Sequence, residues 1–174
     1  MYVCVYVRGV CDVCLTLCVS FMGQGEPLYN YRAVSRAIAL LTEGSGLAFS
    51  RRKIIVSTSG VVPNIAKLGQ DWKGIGLAIS LHAVTDELRD QIVPINRQWN
   101  IAQLMAAVRG FNGLNQNNRT LFEYVMLKDV NDTPAHARAL MKLVKGIPCK
   151  FNLIPFNPWP GTAYECSDMA KIGR

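Results

Sequence analysis

The chain has 174 residues, half of them apolar and 18% charged, with 19 Lys and Arg against 12 Asp and Glu for a formal net charge of +7. That length suits one domain with a sizeable core, and the composition excludes a disordered chain, a collagen-like repeat and a coiled coil. The basic excess suits a polyanion such as RNA without by itself establishing one as partner.

The first 22 residues are apolar, but Arg8 and Asp12 interrupt the run and Gly23 ends it. No basic segment precedes it, so it reads as neither a membrane span nor a signal or transit peptide. Six cysteines are present: Cys4, Cys11, Cys14, Cys18, Cys149 and Cys166. A secreted disulfide framework normally sits in a shorter chain behind a signal peptide, so these read as thiols in a reducing, intracellular compartment. A bacterial cytoplasm fits, as does an organelle of bacterial descent, and no membrane partner is implied. Cys11, Cys14 and Cys18 are spaced so that three thiolates could bind zinc or iron, although Cys18 falls inside the first expected strand.

That strand covers residues 16–22 and ends at Gly23. A helix is expected over 31–42, with Val34, Ala37, Ile38 and Leu41 on one side. The run Arg51-Arg52-Lys53 reads as a solvated loop ahead of a β-branched strand over 53–58. A short helix follows at 62–69, a strand at 76–81, and helices at 86–92 and 100–111. A strand at 120–127, a helix at 134–146 and a last strand at 149–154 complete the series before the turn Pro155–Pro160. Five strands thus alternate with helical stretches, and their continuous apolar runs predict a parallel sheet buried on both faces.

In parallel β/α folds ligands meet the carboxyl ends of the strands. The residues there are Gly23-Gln24-Gly25-Glu26-Pro27, Ser57-Thr58-Ser59-Gly60, Ser80-Leu81-His82-Ala83, Glu123 with Lys128-Asp129 and Asn131-Asp132, and Pro155-Phe156-Asn157-Pro158-Trp159-Pro160-Gly161. Glycines admit a ligand to the backbone, Glu26 suits a ligand ammonium, and Ser57, Ser80 and Asn157 offer neutral hydrogen bonds. No nucleophile–base pair stands out, so the set reads as a cofactor cradle rather than a hydrolytic triad.

With those motifs, and with Ser50-Arg51-Arg52-Lys53-Ile54, Asp86-Glu87-Leu88-Arg89-Asp90 and Phe122-Glu123-Tyr124-Val125-Met126-Leu127, the chain resembles a known family. These are the radical S-adenosylmethionine enzymes that methylate carbon 2 of adenine in 23S ribosomal RNA and transfer RNA. The resemblance covers about residues 19–168. It implies an α/β fold, a partial (β/α)6 radical-SAM barrel of which about five β/α units are present. It also implies that Gly25, Glu26, Ser57, Ser80, Leu81, His82 and Asn157 contact S-adenosylmethionine. Family members use one S-adenosylmethionine to methylate a cysteine and a second to make a radical on that methyl, which adds to the adenine ring. A 4Fe-4S cluster and an external reductant such as flavodoxin belong to that chemistry, as do ribosomal RNA and possible tRNA substrates.

Two departures from the family pattern stand out. The family's cluster motif, Cys-x3-Cys-x2-Cys, is absent; Cys11, Cys14 and Cys18 have the reverse spacing and almost touch the next strand. The methyl-carrying cysteine lies beyond the Pro-Trp-Pro-Gly turn in the family, and Cys166 in its Tyr-Glu-Cys-Ser context does not match that motif. The expectation is therefore an atypical start over 1–18 and an incomplete radical SAM core over 19–174, with no catalytic residue assigned. The alternative is a non-catalytic RNA-binding or subunit-assembly remnant of the same barrel.

Overall fold

A computed structural model describes residues 5–8, 18–115, 119–168 and 170, with backbone alone for 5–8. Six strands form one sheet in the order of the sequence: β1 (Val5–Arg8), β2 (Cys18–Phe21), β3 (Ile54–Thr58), β4 (Gly76–Ser80), β5 (Thr120–Met126) and β6 (Cys149–Pro155). Strands β2 to β6 are parallel, and β1 pairs antiparallel with β2. The five parallel strands are those expected; β1 is additional. Helices α1 (Tyr31–Thr42), α2 (Val62–Asp71), α3 (Asp86–Ile92), α4 (Ile101–Leu114) and α5 (Pro134–Leu143) occupy the connections.

A strand order that never reverses has no switch point, so the right-handed crossovers place every helix on the same side of the sheet. Register confirms this sidedness. Phe21, Val56, Ile79 and Phe122 share one face with Val19, Ile54, Leu77 and Tyr124, and all are buried with Ile38 of α1, Ile65 and Leu68 of α2, and Leu104, Val108 and Phe111 of α4. The opposite face presents Ser20, Ile55, Ser57, Ala78, Ser80, Leu121, Glu123 and Val125. One covered face and one concave, partly polar face is the arc of a barrel.

That asymmetry corrects one expectation. Burial along β5 alternates strictly from Thr120 to Met126, and β6 is largely exposed, with Leu153 open to solvent. Both-face burial holds only for the inner strands β3 and β4, where three residues in succession are buried.

Local chemistry sets the helix starts. Asn100 and Gln103 form a reciprocal capping box at the head of α4. Thr85 and Thr133 cap α3 and α5, the latter with Pro134 at the first helical position. The run Arg51-Arg52-Lys53 forms a 3-10 turn at the entry to β3, at the sheet end opposite the strand carboxyl termini, with the Arg51 guanidinium 5.3 Å over the Trp72 ring. Cys149 packs against the core, and burial pushes its thiol pKa upward.

Candidate functional site

A cavity of about 300 Å³ opens at the carboxyl ends of the strands, lined among others by Gly23, Gly25, Glu26, Ser57, Ser59, Ser80 and Glu123. Four of the residues singled out in the sequence, Gly25, Glu26, Ser57 and Ser80, therefore converge. The chain reaches the cavity from β2 through Gly23 and Gly25, whose φ values of 114° and 85° lie where a side chain would be strained.

Glu26 then caps a 3-10 turn, Pro27–Asn30, its Oε1 accepting the Leu28 N–H at 2.9 Å. Its Oε2 accepts both the backbone N–H and the hydroxyl of Ser59, each at 2.7 Å. Glu26 was expected to face a ligand ammonium; here it ties the loop after β2 to the loop after β3. A charged acceptor with three donors holds both loops firmly.

Leu81 and His82 stand behind the cavity rather than on its lining. The Leu81 side chain is fully buried, and the backbone N–H groups of Leu81 and His82 both donate to the Glu123 carbonyl. His82 adopts φ 60° and its Nδ1 accepts the Val125 N–H at 3.1 Å, which leaves the hydrogen of the neutral ring on Nε2. Burial first, and the Arg89 charge second, push its pKa down to about 4. Asn157 is exposed after β6 and does not line the cavity.

Three further residues organise the site: Glu123 and Asn131 stood among the strand-end residues and Arg89 in a quoted motif, but the sequence assigned none of them a role. Arg89 on α3 is 0% exposed, yet among the described residues it forms no ion pair with a carboxylate. It donates to the carbonyls of Ser59, Ser80 and Leu81 and to Asn96 Oδ1. One guanidinium thus pins the ends of β3 and β4, and burial lowers its pKa to about 10 against the pull of Asp86 and Asp90. Asn131 does similar work for β5: its Oδ1 accepts the Leu127 N–H while its Nδ2 donates to the carbonyls of His82 and Val125. Glu123 sends its carboxylate to the cavity, with Oε2 at 3.4 Å from the hydroxyls of both Ser57 and Ser80. The signal available for Glu123 was period two: it is a charged residue set between Phe122 and Tyr124 in a strand with one covered face.

Serine hydroxyls, glycine backbone and carboxylate oxygen make a donor–acceptor set that fits a zwitterionic, hydroxyl-bearing cofactor such as S-adenosylmethionine. They offer nothing to an iron–sulfur cluster. Among the described residues no three metal-ligating side chains gather; Cys18 lies in β2, and Cys11 and Cys14 lie outside the described residues. No described helix is long and apolar enough to cross a membrane.

No family model matches the chain. It is 58% identical over 156 residues to the dual-specificity RNA methyltransferase RlmN of Phenylobacterium zucineum, covering 90% of this chain and 40% of that protein. It is 62% identical over 156 residues to the enzyme of the same name from Methylorubrum populi, covering 90% of this chain and 36% of that protein. The structure of a radical SAM methyltransferase from Sphaerobacter thermophilus superposes with a TM-score of 0.84 at 42% identity, covering 88% of this chain and 45% of that one. A domain of the pyruvate-formate lyase-activating enzyme from Bacteroides vulgatus, at 12% identity and TM-score 0.63, shares the fold alone. Over nine tenths of its length the chain is thus a homologue of these RNA methyltransferases, and it spans about two fifths of their length.

Proposed function

From that kinship we propose that the chain is the cofactor-binding portion of a radical S-adenosylmethionine RNA methyltransferase that acts on carbon 2 of adenine in 23S ribosomal RNA, and in transfer RNA as well. The observation that carries the reading is the convergence of Gly25, Glu26, Ser57 and Ser80 on one cavity at the strand carboxyl ends. Bound there, S-adenosylmethionine supplies the methyl group. The chain's own residues bind and orient it: Gly23 and Gly25 let it approach the backbone, while the Ser57 and Ser80 hydroxyls hydrogen-bond its polar edges. Leu81 and His82 act by fixing the β4 end, and Asn157 stands where the chain leaves β6 at the same end of the sheet. A bacterial cytoplasm, an external reductant and a 4Fe-4S cluster held by ligands outside the described residues complete the proposal.

Calorimetric titration of the chain with S-adenosylmethionine tests it. Saturable binding is expected, weakened at least about tenfold by Ser57→Val together with Ser80→Val, since two hydroxyl contacts are removed. A folded chain that shows no binding overturns the reading. Iron and sulfide after anaerobic reconstitution test the metal separately. Because Cys18 is held in a strand paired on both sides, the expected content is well below about four irons per chain. Four irons, lost on changing Cys11, Cys14 and Cys18 to alanine, would assign the cluster to those thiolates.

A further inference from the structure

The two carboxylates of the cavity are not equivalent. Both oxygens of Glu26 are engaged by the protein at 2.7–2.9 Å, by Leu28 on one side and Ser59 on the other. Glu123 is reached only by two hydroxyls, both on Oε2 and both at 3.4 Å, the outer limit of a hydrogen bond. No described residue donates to its Oε1.

No cation among the described residues forms an ion pair with Glu123 either. Among the described residues the only ion pair joins Lys128 to Glu165, at the surface. The buried guanidinium of Arg89 directs its donors at the Ser80 and Ser59 carbonyls and away from the carboxylate. Glu123 is half-buried on the cavity wall, so a ligand seated there meets a carboxylate oxygen that no described residue occupies.

We infer that Glu123 is a specificity-determining residue of this site, its free carboxylate oxygen facing the sulfonium that distinguishes S-adenosylmethionine from the neutral thioether S-adenosylhomocysteine. The inference rests on the cofactor reading above. It gives Glu123 a role that shape and hydrogen bonding do not supply, because the two compounds share their adenosine, ammonium and carboxylate groups. Discrimination between them needs a fixed negative charge near sulfur, and specificity is the difference of the two affinities. A protein that must bind the methylated compound and release the demethylated one gains directly from such a charge.

The experiment measures the dissociation constants of both compounds for the unsubstituted chain, Glu123→Gln and Glu123→Asp, with thermal unfolding as a check on folding. The unsubstituted chain is expected to prefer S-adenosylmethionine. Glu123→Gln, nearly isosteric, is expected to reduce that preference about tenfold while changing S-adenosylhomocysteine binding little. Glu123→Asp keeps the charge one methylene short and is expected to retain part of the preference. A parallel loss for both compounds in Glu123→Gln, or an unchanged ratio, overturns the inference and leaves the cofactor reading intact. If Glu123→Gln does not fold, Glu123→Ala replaces it, and an unchanged ratio in that variant overturns the inference. Failure of the unsubstituted chain to bind either compound overturns the cofactor reading, and this inference with it.

Discussion

His82 carries its charge state as a stability term. Its folded pKa of about 4 lies below the ordinary 6.5, so the unfolded chain binds a proton that the folded chain refuses. The stabilisation is fully present above pH 6.5 and is lost as pH falls through 4, by at most about 3 kcal/mol. Urea unfolding between pH 7 and 4 should show this slope. His82→Asn keeps an acceptor for the Val125 N–H and tolerates φ 60°, so it should fold and flatten the slope. An undiminished slope in that variant would place the titration elsewhere. Arg89 is the harder residue to read from sequence. An arginine in a charged helix reads as solvated, yet the described chain buries it completely against three carbonyls and an amide. Arg89→Met removes the guanidinium donors to the Ser59, Ser80 and Leu81 carbonyls, of which Leu81 keeps the Ala83 N–H, and should cost about 3–5 kcal/mol in chemical unfolding. Arg89→Lys keeps the charge but cannot span the fork, so it should restore only part of the loss.

The element boundaries were largely legible because each start and stop has a local cause. Helix α1 falls at 31–42 and α3 at 86–92, the bounds read from the sequence, and the structure adds the Thr85 cap of α3. Strand β5 was placed correctly, yet its two faces were not, since its apolar residues run together while the charge at Glu123 is the sole sign of alternation. The site was legible where backbone chemistry made it so: glycines after β2 and hydroxyls after β3 and β4 mark the cavity. The tie between Glu26 and Ser59 was not, because it links residues 33 apart and depends on how two loops meet. Capping gives the prediction at this scale. Asn100→Ala removes the acceptor for the Gln103 N–H and half of the capping box, and should cost about 1 kcal/mol in urea unfolding. Gln103→Ala removes the other half and should cost less, the Asn100 cap remaining in place.

At the scale of the whole molecule, charge decides how RNA would approach. Exposed Arg32, Arg36, Arg97, Arg109, Arg138, Lys142 and Lys150 are spread over α1, the turn after α3, α4, α5 and β6, not gathered in one patch. Binding through such a surface is dominated by phosphate contacts and weakens steeply with salt. The fold nevertheless separates two ends. Arg97 lines a groove of about 690 Å³ with Tyr29 and Ser59, at the strand carboxyl ends beside the candidate cavity. Arg51 and Arg52 precede β3 at the opposite end, where the Arg51 guanidinium is stacked on Trp72. On the proposed function, an RNA delivering its adenine to the cavity meets the first end and not the second. Arg97→Gln should therefore weaken RNA binding and lower the slope of log affinity against log salt by about one. Arg51→Gln together with Arg52→Gln should leave both unchanged, although they are the densest basic run in the sequence. Fluorescence anisotropy with a short adenine-containing RNA hairpin at several salt concentrations reads both quantities. Equal losses in the two variants would mean attraction by net charge alone, and a loss confined to Arg51 and Arg52 would turn the RNA to the other face of the barrel.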